Sequence, residues 1–262
     1  MVKLLRLFGI LVSLSLRRQV AFRTDLVFEV ALTVVGLGSS LAALAMIYTR
    51  TTSLGGWGPG EAVALLGTFQ IMTGLRSAFV EPNLGGFGNQ VKDGRFDAVL
   101  VQPAPAIFLA SLASSAPLAL AQVGLGLGVV GYGIHLSPLA LTPRGVTAWF
   151  ALLVTSTAVM WATRALSAAV VFWAMELRLD VVYDAIWQFA RYPIDIYRRP
   201  MRLLLTYVVP VAFVATVPTG TLLDADGASL IVPVAFAVAG GCCLLAHLAW
   251  RAGLRRYTSA TS

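Results

Sequence analysis

Six apolar stretches, Val30–Tyr48, Ala62–Val80, Ile107–Gly133, Val146–Met175, Leu203–Pro218 and Ser229–Trp250, take up most of this 262-residue sequence. All but the fifth reach the ~20 residues that a helix needs to cross hydrocarbon. The fifth crosses only with flanking residues such as Met201, Thr219 and Gly220. Soluble domains are roughly one-quarter charged, whereas this chain is 12% charged and 58% hydrophobic. Its polar connections, about 25–30 residues at most, are too short to fold as domains of their own. The expectation is an all-α polytopic membrane protein. An interfacial helix occupies residues 1–24, a single six-helix transmembrane domain residues 25–252, and a tail residues 253–262.

Basic residues set the orientation. With the N-terminus inside, sixteen Lys and Arg fall in cytoplasmic segments and only Arg50 and Arg144 outside, which places both termini in the cytoplasm. The net charge of +7 is spread along membrane edges and not gathered on one soluble face, so no nucleic-acid partner is expected. Near the N-terminus Lys3, Arg6, Ser13 and Arg17 share one helical stripe opposite Leu5, Phe8 and Val12, the pattern of a helix lying in the interface. No small-residue cleavage site follows the run Leu7–Val12, and a signal anchor is the alternative.

Several chemistries are excluded by spacing. Cys242 and Cys243 are adjacent in the last span and cannot readily bridge, and His135 and His247 lack ligand-spaced neighbours. Gly126, Gly128 and Gly131 fit a dinucleotide pattern, but no strand precedes them and no acidic residue follows at the required distance. The preferred reading is helix packing, with Gly124 and Gly128 as a G-x-x-x-G contact. The chain's two lysines, Lys3 and Lys92, lie outside any phosphate-binding loop, so ATP is not expected to bind by that route.

The connection between the second and third spans is the most informative polar segment. Gly94 breaks the chain, Arg95–Val101 can form about two helical turns, and Pro103 and Pro105 stop them. Phe96, Val99 and Leu100 share an apolar face while Arg95 and Asp97 point elsewhere, which suits docking into a partner's groove.

With this loop in view the sequence resembles the type-2 permeases of ATP-binding-cassette exporters, particularly the bacterial six-span subgroup. The likeness covers nearly the whole chain. It rests on the basic N-terminus, the six spans, the loop Gly94-Arg-Phe-Asp-Ala-Val-Leu-Val-Gln-Pro103, and the segment Phe189–Tyr197 leading to Val208–Pro218. It implies that Gly94–Pro103 is a coupling helix on a separate ATPase dimer, and that two permease subunits, identical or related, form the pathway. ATP and Mg would then be used by the partner, with no cofactor bound by this chain and no catalysis of its own.

Individual residues carry further expectations. Arg164 lies 18 residues into the long fourth span, where a charge needs protein, water or an anion beside it. It contacts a substrate headgroup, or it snorkels or pairs with a partner such as Glu29; pairing or snorkelling is preferred. Glu29 and Arg76 read as boundary charges. Pro117, Pro210 and Pro218 interrupt the third and fifth spans as kinks, moving or static. Trp187, Phe189, Arg191, Tyr192 and Tyr197 read as a cytoplasmic interfacial belt and a second ATPase contact.

The resulting expectation is a permease in the bacterial inner membrane that moves a hydrophobic or amphipathic substrate, a drug, peptide or lipid, outward by alternating access. Ion-coupled secondary transport is the main rival. A membrane-embedded enzyme is the second, though no reactive constellation supports it.

Overall fold

The computed structural model describes residues 2–21, 23–138 and 141–257, and within them the side chains other than those of residues 2–5, 18–21, 23–27 and 29. Among the described residues the chain is helical, its one β contact being the isolated bridge between Leu54 and Trp57. The long helices are α1 (Val2–Ala21), α2 (Arg23–Tyr48), α3 (Pro59–Leu75), α4 (Ala121–Leu136) and α5 (Pro143–Ala169), followed by α6 (Leu179–Trp187), α7 (Thr216–Leu223) and α8 (Ala228–Arg256). Five helical stretches are long and apolar enough to span a membrane: Val30–Tyr48, Pro59–Lys92, Pro117–Leu136, Pro143–Phe172 and Ala228–Arg256.

The bundle has two ends. One carries the α2–α3 connection with Trp57, and the other carries the Gly94–Pro103 loop. At the Trp57 end, Pro59 opens α3 while Gly58 N donates to the Glu61 carboxylate at 2.8 Å, and Tyr48 donates to the Trp57 carbonyl at 2.8 Å. Pro143 likewise opens α5, where the Thr142 hydroxyl accepts from Gly145 N. Both starts use a ring with no N–H at a position whose N–H has no helical partner. At the loop end, α1 packs with Phe8 against Phe79, ring centroids 6.0 Å apart, and Ser15 accepts from Ser115 N.

Antiparallel α3 and α4 approach so closely that side chains are excluded between them. A Cβ on Gly67 would lie 2.5 Å from Val130 N, and one on Gly60 would lie 2.5 Å from Ser137 N. Gly126 and Gly133 answer from α4, meeting Ile71 and Ala64. Gly60, Gly67 and Gly74 on one helix and Gly126 and Gly133 on the other repeat every seven residues, which keeps small residues in a near-parallel seam. The expected Gly124–Gly128 contact is not this seam, because both residues face open space, as does Gly131.

Two expected spans are broken, each at a proline. The third divides into Ala106–Leu112 and a crossing at Pro117–Leu136. Pro117 offers no N–H and pushes Ala116 out of the helical region (φ −118°, ψ 70°). The freed groups are taken elsewhere: Ala116 N donates to the Ala78 carbonyl, and the Asn83 amide bonds Ser114 through both its carbonyl and its NH2.

The fifth expected span, Leu203–Pro218, is not one helix. A π-helical turn over Leu204–Val208 ends at Val209, extended (φ −118°, ψ 96°) before Pro210, and the chain re-forms as Val211–Phe213 and α7. Contacts show a hairpin. Tyr197 donates to the Phe189 carbonyl, Val209–Val214 lie beside Tyr183, Ile186 and Trp187, Phe213 accepts from Ser156, and Thr216 meets Ile194 N. The chain that runs the length of the bundle is instead residues 179–196. Tyr183 bonds Met160 and Thr163 near the loop end, Trp187 reaches Thr73, and Asp195 accepts from the Trp57 indole at 3.1 Å. Pro218, in the first turn of α7, costs no hydrogen bond there.

The last helix runs to Arg256, past the expected boundary at residue 252, with Cys242 and Cys243 half-buried and free. Residues 258–262 of the expected tail lie outside the described residues.

If 179–196 crosses as described, Arg199 lies on the same side of the membrane as Ser53, opposite Gln102. In a background without native cysteines, cysteines at Ser53 and Arg199 should label together with an impermeant thiol reagent, and Gln102 only when the other face is exposed. Labelling of Arg199 together with Gln102 contradicts this path.

Candidate functional site

Four charged side chains from three parts of the chain meet just above the Gly94–Pro103 loop. A π-helical turn over Arg76–Val80 extends α3 directly into Glu81–Leu84. The extra residue of such a turn shifts the register of the helix face, and here Glu81 comes back over Arg76. Arg76 Nε donates to Glu81 Oε1 at 2.7 Å, and its Nη2 pairs with Asp184 of α6. Arg164 of α5 donates to the other Glu81 oxygen at 3.2 Å. Both arginines are withdrawn from solvent, 8% and 2% exposed. The aromatic rings of α6 complete their surroundings: Arg76 lies 4.9 Å from the Trp187 ring and Arg164 lies 5.0 Å from that of Tyr183. Two guanidinium groups and two carboxylates leave the cluster neutral, the condition under which charge is tolerated away from water. Gly85 leaves the room Glu81 needs, since a Cβ there would overlap its carboxylate.

Arg164 is therefore paired with Glu81; the side chain of Glu29, the partner expected from sequence, lies outside the described residues. Arg76 is no boundary charge; it is the hub that ties α3 to α6. Sequence reasoning missed Glu81 because it stands at the start of a Pro- and Gly-rich loop, where a carboxylate reads as solvated.

Below this cluster the loop is held by an aromatic nest. Gly94 has φ +71°, a left-handed turn that suits glycine. The expected two-turn helix from Arg95 is a single turn, Asp97–Leu100. Phe96 is fully buried, its ring 5.1 Å from Phe87, 5.8 Å from Phe172, 6.3 Å from Trp250 and 5.6 Å from Tyr257. Trp250 donates to the Ala165 carbonyl at 2.9 Å and Tyr257 to Asp97 at 2.8 Å. Phe96 is thus no docking anchor for a partner, because Phe87 and the rings at the ends of α5 and α8 enclose it. Val99 also packs partly inward. What faces out is a ridge of Ala98, Leu100, Val101, Gln102 and Pro103, flanked by Arg95, which pairs with Asp93. Val101, not singled out by the sequence, is 84% exposed.

The segment expected as a second contact at this end belongs elsewhere. Trp187 is buried against Phe69 and Thr73, Arg191 lies 5.7 Å from the Phe69 ring, and the Phe189 and Tyr197 rings stack edge to face at 5.4 Å. With Asp195 at Trp57, Tyr192 and Tyr197 sit toward the end opposite the loop. Aromatic and basic interleaving reads the same for a bundle lining as for an interfacial belt.

The shared carboxylate makes an ordering testable. Glu81→Gln strands Arg164 and weakens Arg76, whereas Arg164→Met leaves Glu81 paired with Arg76. The first should destabilise the purified protein by about 3 kcal/mol, the low end for breaking a buried pair, and the second by less. Thermal unfolding in detergent checks this; equal losses would show that Glu81 is not shared.

The multi-pass helical bundle agrees with what other proteins reveal about the chain. Comparison with curated proteins and with solved structures returned no match. A family model described as ABC-2 family transporter protein matches residues 34–261. That match runs from within α2 through the end of α8 and includes the Gly94–Pro103 loop: the chain belongs to the ABC-2 family of membrane transporter proteins.

Proposed function

We propose that this chain is the permease subunit of an ATP-driven exporter, working as one of a pair and borrowing its energy from a separate ABC ATPase. The observation that carries this reading is the division of the Gly94–Pro103 loop into two faces. An exposed ridge of Leu100, Val101 and Gln102 is free for a partner, and the buried Phe96 is clamped between the ends of α5 and α8. A push on the ridge passes through Phe96 to α5 and α8, and along the continuous Pro59–Lys92 stretch through Glu81 to α3, α5 and α6. Family membership supports an ATPase partner and a bilayer environment.

Orientation follows from charge after the correction at 179–196. Arg198, Arg199 and Arg202 join Arg50 and Arg144 at the Trp57 end, and Arg191 lies within the bundle. With Arg76 and Arg164 also inside the bundle, eleven of the nineteen basic residues remain at the loop end against five at the other. The positive-inside tendency then puts the loop and both termini in the cytoplasm of a bacterial cell, with α1 in the interface. Residues 179–196 supply the sixth crossing, and the 199–223 hairpin dips in from the outer side. Non-helical backbone at depth is tolerated because it is covered by protein. Ion-coupled transport is disfavoured by the pairing of Glu81 and Asp184 with arginines, since a carrier carboxylate must be free to exchange its ion.

Replacing Leu100 and Val101 together with Asp should weaken ATPase association at least tenfold, since each apolar side chain buried on docking contributes roughly 1.5–3 kcal/mol, while the permease stays folded. Phe96→Ala, in contrast, should lower the permease's own stability by about 3–5 kcal/mol, the usual cost of removing a buried aromatic ring. Titration of the purified ATPase against both variants, with thermal unfolding alongside, makes the measurement. ATPase binding by the Leu100 and Val101 double variant at wild-type affinity places the coupling surface elsewhere.

A further inference from the structure

Arg191 lacks, among the described residues, the compensation that Arg76 and Arg164 receive. Arg191 enters between α2 and α3 at the level of Phe69, ten residues or about 15 Å along α3 from Pro59. That depth is near the middle of a ~30 Å hydrocarbon layer. Its Nε is shielded from solvent without a hydrogen-bond partner, and it forms no ion pair with any carboxylate among the described residues. Cation–π contact with Phe69 is its one described attraction. An arginine so placed costs ~2.5–3.5 kcal/mol on insertion scales unless an anion or water meets it.

Beside Arg191 is a cavity of about 320 Å³, at the lower end of the ~300–1,000 Å³ of small-molecule sites. Its polar side is Ser40, Gln70, Thr73 and Gln122, with Gln70 donating to Gln122 at 3.3 Å. Its apolar side runs along α2, where Leu32 lines the mouth and is 72% exposed. Among the described residues no carboxylate lines it. A half-buried cation with no ion pair among the described residues, neutral hydrogen-bonding groups beside it and an apolar flank opening sideways match a molecule with a negative head and a hydrocarbon tail.

We infer that this cavity binds an anionic amphiphile, a phosphate or carboxylate head seated on Arg191 and Gln70 with its chain laid along α2. The inference deepens the proposed function by naming a ligand class, and it rests on that reading only for whether the ligand is transported. Its test uses the permease alone, so failure here leaves ATPase coupling untouched.

The purified permease in a neutral maltoside detergent is titrated, with native mass spectrometry as readout, against dodecyl phosphate, phosphatidylglycerol, phosphatidylcholine and inorganic phosphate. Dodecyl phosphate or phosphatidylglycerol should bind at least tenfold tighter than phosphatidylcholine. Arg191→Gln should remove that preference, as expected on losing a charge-assisted hydrogen bond. Gly36→Leu fills the cavity while keeping the charge, has open space at its Cβ, and should weaken binding similarly; it carries the test should Arg191→Gln not fold. Preference for phosphatidylglycerol identifies a bilayer lipid and preference for dodecyl phosphate a free amphiphile, and either supports the inference. Equal binding of phosphatidylcholine, unchanged affinity in Gly36→Leu, or inorganic phosphate binding as tightly as the amphiphiles overturns it.

Discussion

Charge removed from water has to be neutralised where it sits, and the arrangement of this bundle follows from how Glu81 does so. Its two oxygens are held by arginines on α3 and α5, and Arg76 passes the link to Asp184 on α6. Because each arginine is nearly inaccessible to solvent, separating the helices would leave a bare cation in a low-dielectric setting. Such a cluster is weak evidence for stability against an apolar replacement, yet it is strict about geometry. The helices must meet in this register or lose the pairing.

The glycine seam and the aromatic nest complete that register at either end of α3. Gly60, Gly67 and Gly74 let α4 approach to backbone distance, which leaves the π-helical turn and Glu81 as the place where α3 changes direction. Beneath it Phe96, Phe172, Trp250 and Tyr257 join the loop to α5 and α8 in edge-to-face contacts. On the proposed reading these joints make the loop an input lever, with the exposed Leu100 and Val101 as its handle and the buried Phe96 as the joint that fixes it to the bundle.

Much of the fold was legible as hydropathy. Spans such as Val30–Tyr48 and the last helix have no competing signal, and Gly94 marked the loop through its turn. Residues 179–196 escaped because Asp180, Asp184 and Arg191 lower their hydropathy, and only tertiary partners such as Arg76 reveal why Asp184 sits there. The glycine contact was misassigned on α4, where five glycines lie between positions 124 and 133, while the seven-residue spacing of Gly60, Gly67 and Gly74 on α3 selects Gly126 and Gly133. For Phe96, an amphipathic turn shows which residues are apolar but not whether the apolar face meets a partner or the chain's own core. Arg164 was expected to pair or snorkel, and its pairing with Glu81 was not foreseen because Glu81 follows a backbone shift that sequence does not display.

The central claim is that the loop and the ends of α5 and α8 move as one body. Spin labels at Val101 on the loop and Arg255 at the end of α8, both exposed, report it directly by pulsed distance measurement in the assembled transporter with and without nucleotide. The account predicts an unchanged Val101–Arg255 distance while the distance from Val101 to a label at Ser53 shifts. A Val101–Arg255 distance that changes with nucleotide would show that the loop moves independently of the bundle and would contradict the account.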